Sequence, residues 1–186
     1  KRHYREIDFK RDKYGVVGEV MVFEYDPNRT TDIALIKYPD EEQRYILGVA
    51  GLKIGDKITQ GERVEVKLGN TMKLKNMPIG TIVHNVELNP GFGGQLGRSA
   101  GVGIQLLAKE NGFAHLKLPS GEVRMVSLES LASIGVLGNE SMKQRIIGKA
   151  GRSRWMGIKP TVRGVAQDPD SHPHGGGEGR SGIGRK

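Results

Sequence analysis

Three stretches hold side chains whose types and spacing could do chemistry. In Ser171-His172-Pro173-His174, a glycine run follows to Glu178 and Arg180, so two imidazoles stand near one carboxylate. These are zinc-ligand types, but a glycine-rich strand offers neither a rigid scaffold nor outer partners to orient them, and no bound metal is expected. Gly97-Arg98-Ser99-Ala100-Gly101 has the spacing of a hydrolase nucleophile elbow, His174-Gly-Gly-Gly resembles an oxyanion-hole segment, and the order Ser99, Asp168 or Asp170, His172 imitates a triad. An elbow needs a strand before the serine and a helix after it, and the oxyanion segment should precede the nucleophile. Ser99 lies instead in a glycine run without alternating strands and helices. A serine hydrolase using Ser99 and His172 is therefore only the alternative reading, and no catalytic residue and no cofactor are expected.

The third stretch, Pro90 to Gly101, is a glycine-rich loop carrying one cation, Arg98. Residues without a Cβ let the backbone approach phosphates closely. No Gly-Lys-Ser/Thr follows, so the spacing is not that of a nucleotide-binding loop; the loop reads as an RNA contact in preference to a plain flexible connector. Arg29, in Asp26-Pro27-Asn28-Arg29-Thr30, sits on a turn and is either an ordinary solvated arginine or a phosphate contact. Trp155 lies among Lys149, Arg152 and Arg154, where it could stack on a base or anchor the chain. His84 and His115 alternate with apolar neighbours and read as structural.

Charge placement supports a polyanionic partner. The net charge is +8, but residues 1–13 carry +3, residues 139–186 carry +6, and the stretch between them −1. Cationic ends on a near-neutral body suit a protein that inserts its extremities among phosphates, where counterion release drives binding. Arg2, Arg5, Lys10, Arg11, Lys149, Arg152, Arg154, Arg163 and Arg180 are the cations expected to meet RNA there, with Trp155, His172 and His174. Neither basic segment has the amphipathic helix that a lipid surface would need, and no run approaches the roughly 20 apolar residues of a membrane span. There are no cysteines, so disulfides and thiolate metal sites are excluded.

The elements that must position these residues are strands. Val16 to Tyr25, Asp32 to Tyr38, Arg44 to Val49 and Arg63 to Leu68 are rich in Val, Ile and Leu and separated by Gly, Pro and Asn turns. Short, closely spaced strands suggest an oligonucleotide-binding (OB) barrel over residues 1–75. Lys73 to Pro78 reads as a linker. Thr81 to Leu88, Val102 to Ala108, Phe113 to Leu118, Glu122 to Val126 and Leu131 to Val136 then predict a second small barrel over 76–138, with Asn111-Gly112 and Ser120-Gly121 as hairpin turns. Residues 139–186 form a basic, Gly-rich extension with a short helix over Glu140 to Ile147, N-capped by Asn139 and ended by Gly148. The fold class expected is all-β.

The motifs match one family in order along the whole chain. His3-Tyr4-Arg5, Asp8-Phe9-Lys10-Arg11, Tyr25-Asp-Pro-Asn-Arg29, Gly80-Thr-Ile-Val-His-Asn85, Gly93-Gly-Gln-Leu96, Arg98-Ser-Ala-Gly101, Gly148-Lys-Ala-Gly151 and His172-Pro-His-Gly-Gly-Gly-Glu-Gly179 resemble the universal large-subunit ribosomal protein two, of bacterial or organellar type. The resemblance implies that the second barrel is SH3-like and that the extension is embedded in large-subunit ribosomal RNA. It implies RNA-binding arginines at Arg29 and Arg98, one per barrel, and a histidine near the peptidyl-transferase region at His172, read as local support and not as a base. It further implies support of subunit association and transfer-RNA binding, contacts with the small subunit and other ribosomal proteins, and residence in cytoplasmic or organellar ribosomes. The sequence departs from the family at Ser171, where Asp is usual, and the resemblance implies further chain before Lys1 and after Lys186.

Overall fold

The computed structural model describes residues 4–177. The chain divides into Lys1–Gln144 and Arg145–Lys186. In the first unit, β1 (Val17–Glu24), β2 (Ile33–Lys37), β3 (Gln43–Leu47) and β4 (Lys57–Thr59) form an antiparallel sheet of order β3-β2-β1-β4. Alternating residues of β1 point inward, and Val20 packs with Ile36, Tyr38, Ile46 and Ile58.

β5 (Thr71–Lys73), β6 (Ile82–His84), β9 (Ile104–Glu110), β10 (Phe113–Lys117), β11 (Val123–Ser127) and β12 (Leu131–Ile134) form the second sheet, of order β11-β10-β9-β6-β12-β5. Its core holds Met72, Leu74, Met77, Val83, Ile104, Leu106 and Leu116, all at most 1% exposed. Each such side chain contributes about 1.5–3 kcal/mol through removal from water. The Asn111-Gly112 turn between β9 and β10 has positive φ at both positions, 49° and 82°, as the sequence signal requires.

Three local expectations are corrected. Arg63 to Leu68 is not a strand, because only Val64 of its residues finds core to pack against while Val66 and Leu68 stay exposed. Lys73 to Pro78 is no loose linker. It ends β5 and makes a single 3-10 turn, Leu74–Asn76, which drives Leu74 and Met77 into the second core. The run Thr81 to Leu88 breaks at Asn85, whose φ of 49° separates β6 from β7 (Val86–Glu87). β7 pairs with β8 (Gly94–Leu96), a strand inside the glycine-rich loop.

Helix placement also differs. Glu140–Gln144 forms only a 3-10 turn. Asn139 has φ 59°, outside the extended geometry of an N-cap, and its amide donates to the Thr30 carbonyl at 2.8 Å. The α-helix, α1, lies at Ala150–Trp155 in the second unit. With six α-helical residues and a few 3-10 turns among the described ones, the protein is all-β.

Candidate nucleic-acid interface

Residues 7–13 strap the two barrels of the first unit together. The Asp8 amide donates to the Tyr45 carbonyl at 2.8 Å beside an Ile7–Tyr45 bridge, and the Asp8 carboxylate accepts from Arg44 at 3.1 Å. One residue later the strap changes partner. The Phe9 carbonyl accepts from the Gly94 amide at 2.9 Å and from Asn85 Nδ2 at 3.2 Å, both in the second barrel. Gly94 permits this approach, since a Cβ there would lie 2.1 Å from Asn85 Oδ1.

This anchoring leaves the Phe9 ring between two arginines of different barrels. The Arg98 Cζ lies 4.6 Å from the ring centroid and the Arg29 Cζ 5.7 Å, both within cation–π range. Around them runs an open groove of about 660 Å³, to which Asn28, Thr30, Gln95 and Ser99 add polar groups. Arg29 is aimed by Asp26, whose carboxylate accepts from Arg29 Nε at 2.6 Å and from the Asn28 amide at 2.9 Å. Burial alone would raise the Asp26 carboxyl, but the Asn28 amide and the Arg29 and Arg5 charges hold it below the usual carboxylate range. Asp26 therefore stays an anion at neutral pH. Arg98 has no carboxylate partner among the described residues, only a 3.4 Å contact to the Gly94 carbonyl. By contrast, Arg5 pairs with Glu24, Lys13 with Asp40 and Glu42, and Arg44 with Asp8, Asp12 and Glu42.

The glycine-rich loop is shaped from beneath by Glu87, 2% exposed, whose carboxylate accepts from the amides of Gly93 and Leu131 at 2.9 Å and of Gly91 at 3.3 Å. Glu87 ties the loop to the start of β12.

Arg11, expected from the sequence to meet phosphate, is 2% exposed and donates to the Gly69 carbonyl at 3.1 Å. Its charge is turned into the seam and lowered in basicity by burial. It belongs to the fold and not to the surface. Lys10 is exposed, and Arg5 is exposed in its pair with Glu24. Arg2 and Arg180 lie outside the described residues, as does Glu178.

In the second unit, the Lys149 Nζ sits 4.7 Å from the centre of the Trp155 ring, which is 76% exposed at the end of α1. Arg152, Arg154 and Arg163 are exposed. His172 and His174 come together with ring centroids 4.9 Å apart, and His172 Nδ1 accepts from the His174 amide at 3.0 Å. The His172 ring rests on Gly164, where a Cβ would fall 2.3 Å from it. Among the described residues no three His, Asp or Glu side chains converge as metal ligands. Ser99 is exposed on a turn that runs into β9, so the helix an elbow requires is not there.

Comparison with known families decides among the readings. The family described as Ribosomal Proteins L2, RNA binding N-terminal domain, matches residues 1–60, and Ribosomal Proteins L2, C-terminal domain, matches residues 67–186. The chain belongs to the ribosomal protein L2 family. It is a structural constituent of the large ribosomal subunit that binds ribosomal RNA, works among other ribosomal proteins, and resides in ribosomes, cytoplasmic or organellar. Its all-β architecture is the OB barrel followed by the SH3-like barrel of that family. Members are not enzymes, which removes the serine-hydrolase alternative.

Sequence reasoning missed Phe9 as a lining residue of the groove and Glu87 as the buried support of the glycine-rich loop. Phe9 carried a usable signal, an aromatic beside Lys10 and Arg11, which is the composition of a stacking platform. Glu87 carried a weaker one, a lone acid inside the apolar run Val86 to Leu88.

Proposed function

We propose that the groove between the barrels docks the body of this protein on large-subunit ribosomal RNA, with Arg29 and Arg98 as its phosphate contacts. The observation that carries this is the meeting of one arginine from each barrel on a single aromatic ring within one groove. Contacts of this kind fix register and orientation, and their strength comes from counterion release. The working division is an OB domain, an SH3-like barrel ending near residue 138 and a basic extension over 139–186, with the first boundary, expected from the sequence at residue 75, taken to lie before β5. Because β5 is hydrogen-bonded into the second sheet, the hand-over between barrels falls within the segment that follows β4.

The extension supplies the second set of contacts: Lys149, Arg152, Arg154 and Arg163 to phosphates, Trp155 to a base, and His172, His174 and Arg180 to RNA near the peptidyl-transferase region. Arg2, Arg5 and Lys10 add to the first set. Through this placement the protein supports subunit association and transfer-RNA binding, with contacts to the small subunit and transfer RNA. We read His172 as local support and not as a base, in keeping with the 3.0 Å bond by which its Nδ1 accepts from the His174 amide and which holds the ring in place.

The test is binding to deproteinised large-subunit ribosomal RNA across salt. Arg29→Ala and Arg98→Ala together should lower the salt slope by about two and weaken affinity at all salt concentrations. An unchanged slope and affinity in the double variant would refute the groove as the docking site.

A further inference from the structure

We propose that Phe9 is the positioning residue that makes Arg29 and Arg98 a single RNA-binding unit, so that the two arginines act cooperatively and not as separate contacts. This rests on the reading of the groove as an RNA site.

The argument starts from the backbone. Phe9 is the residue at which the strap crosses from the first barrel to the second, and its carbonyl is held by two donors of the second barrel, Gly94 N and Asn85 Nδ2. Asn85 is 6% exposed and Gly94 is buried, so neither donor is free to wander. The aromatic ring is therefore fixed relative to the second barrel by hydrogen bonds one residue away from the first barrel's Tyr45 bond to Asp8. On that ring lie the guanidinium groups of both barrels, at 4.6 Å and 5.7 Å.

Two like charges that share one ring, at 4.6 Å and 5.7 Å from its centroid, repel. The electron-rich ring face offsets part of that repulsion and restricts both long side chains before RNA arrives. Arg29 has a second anchor in Asp26, but Arg98 has none among the described carboxylates. Arg98 is thus the residue that Phe9 controls most. Leucine at position 9 would fill similar space without a ring face, and tyrosine would keep the face.

The experiment uses the whole chain and deproteinised large-subunit ribosomal RNA. Phe9→Leu should weaken binding about fivefold with its salt slope unchanged, because the phosphates neutralised are the same and only the preorganisation is lost. Phe9→Tyr should bind within about twofold of the parent. A double-mutant cycle on Arg29→Ala and Arg98→Ala should be non-additive with Phe9 present and additive in the Phe9→Leu background. Thermal melting of each variant separates binding loss from unfolding. Should Phe9→Leu melt early, the cycle with Phe9 present decides alone, and multiplicative losses there overturn the proposal. It is equally overturned if Phe9→Leu binds as the parent while each arginine variant weakens binding, a result that leaves the groove itself standing. If neither arginine variant weakens binding, the underlying site reading has failed instead.

Discussion

Removing the carboxylate of Glu87 should cost this protein more stability than any surface charge change. Its Oε2 accepts from Leu131 N at 2.9 Å and Gly91 N at 3.3 Å, and its Oε1 from Gly93 N at 2.9 Å. Gly93 and Leu131 are buried, whereas Gly91 is exposed and can turn to water. Glu87→Ala therefore strands two buried donors at about 1–3 kcal/mol each and leaves a small cavity, for a loss of about 3–5 kcal/mol. Glu87→Gln is the sharper variant. Whichever way its amide is oriented, an NH₂ replaces one acceptor oxygen and faces a backbone N–H, so it should cost about 2 kcal/mol despite near-identical shape. Urea unfolding, with the slope checked for constancy, reads both values. At this chain length melting should fall by about 2–4 °C per kcal/mol. Glu87→Gln within about 0.5 kcal/mol of the parent would refute the reasoning, because the loop would then be held by something other than those three bonds.

Three further outcomes follow from the same structure. Burial pushes the His84 imidazole from its usual 6.5 down to about 4, with the Gly135 carbonyl opposing and Arg11 reinforcing. The unfolded chain then binds the extra proton, so this stability is complete above about pH 6.5 and lost as pH falls toward 4. The loss is about 3 kcal/mol in all, and chemical denaturation at pH 7 and pH 5 should show its onset in the parent but not in His84→Gln. Arg11→Met should leave ribosomal RNA affinity unchanged and leave stability equal or raised, since a buried guanidinium with one side-chain hydrogen bond, 3.1 Å to the Gly69 carbonyl, gives way to an apolar chain of similar reach; a filter-binding loss comparable to that of Arg98→Ala would return Arg11 to the interface. Gly94→Ala should destabilise by about 1–3 kcal/mol or more, because the new methyl meets the Asn85 backbone carbonyl as well as its side chain, and melting curves check it.

Much of the fold was legible because it depends on short-range signals. Runs rich in Val, Ile and Leu between turn residues placed β1, β2, β3, β9, β10 and β12, and Asn111-Gly112 placed a hairpin whose φ values only that type of pair adopts easily. The misreadings share one cause. Arg63 to Leu68 alternates like a strand but brings only Val64 to a core, and Leu74 and Met77 look like linker residues but are buried in one. Local pattern states what a segment could bury, and only packing states what it does bury. The α1 helix escaped notice for a similar reason: six residues make too short a period to detect, and Gly151 within it argues against helix.

For the interface, the amino-acid sequence by itself determined the class of partner. Cationic ends, the absence of cysteine, the glycine-rich loop and the ordered motifs depend on composition and order alone, and they led to ribosomal RNA. Which cations face outward was decided by tertiary structure. Arg11 and Arg98 are both arginines near glycine and aspartate or serine, yet one is turned into the seam and the other lies in an open groove. Phe9 and Arg98 are 89 positions apart, and no local rule brings them to 4.6 Å. That distance arises because the strap bonds to Tyr45 on one side and to Gly94 on the other, a closure of long-range hydrogen bonds that exists only once both barrels have formed.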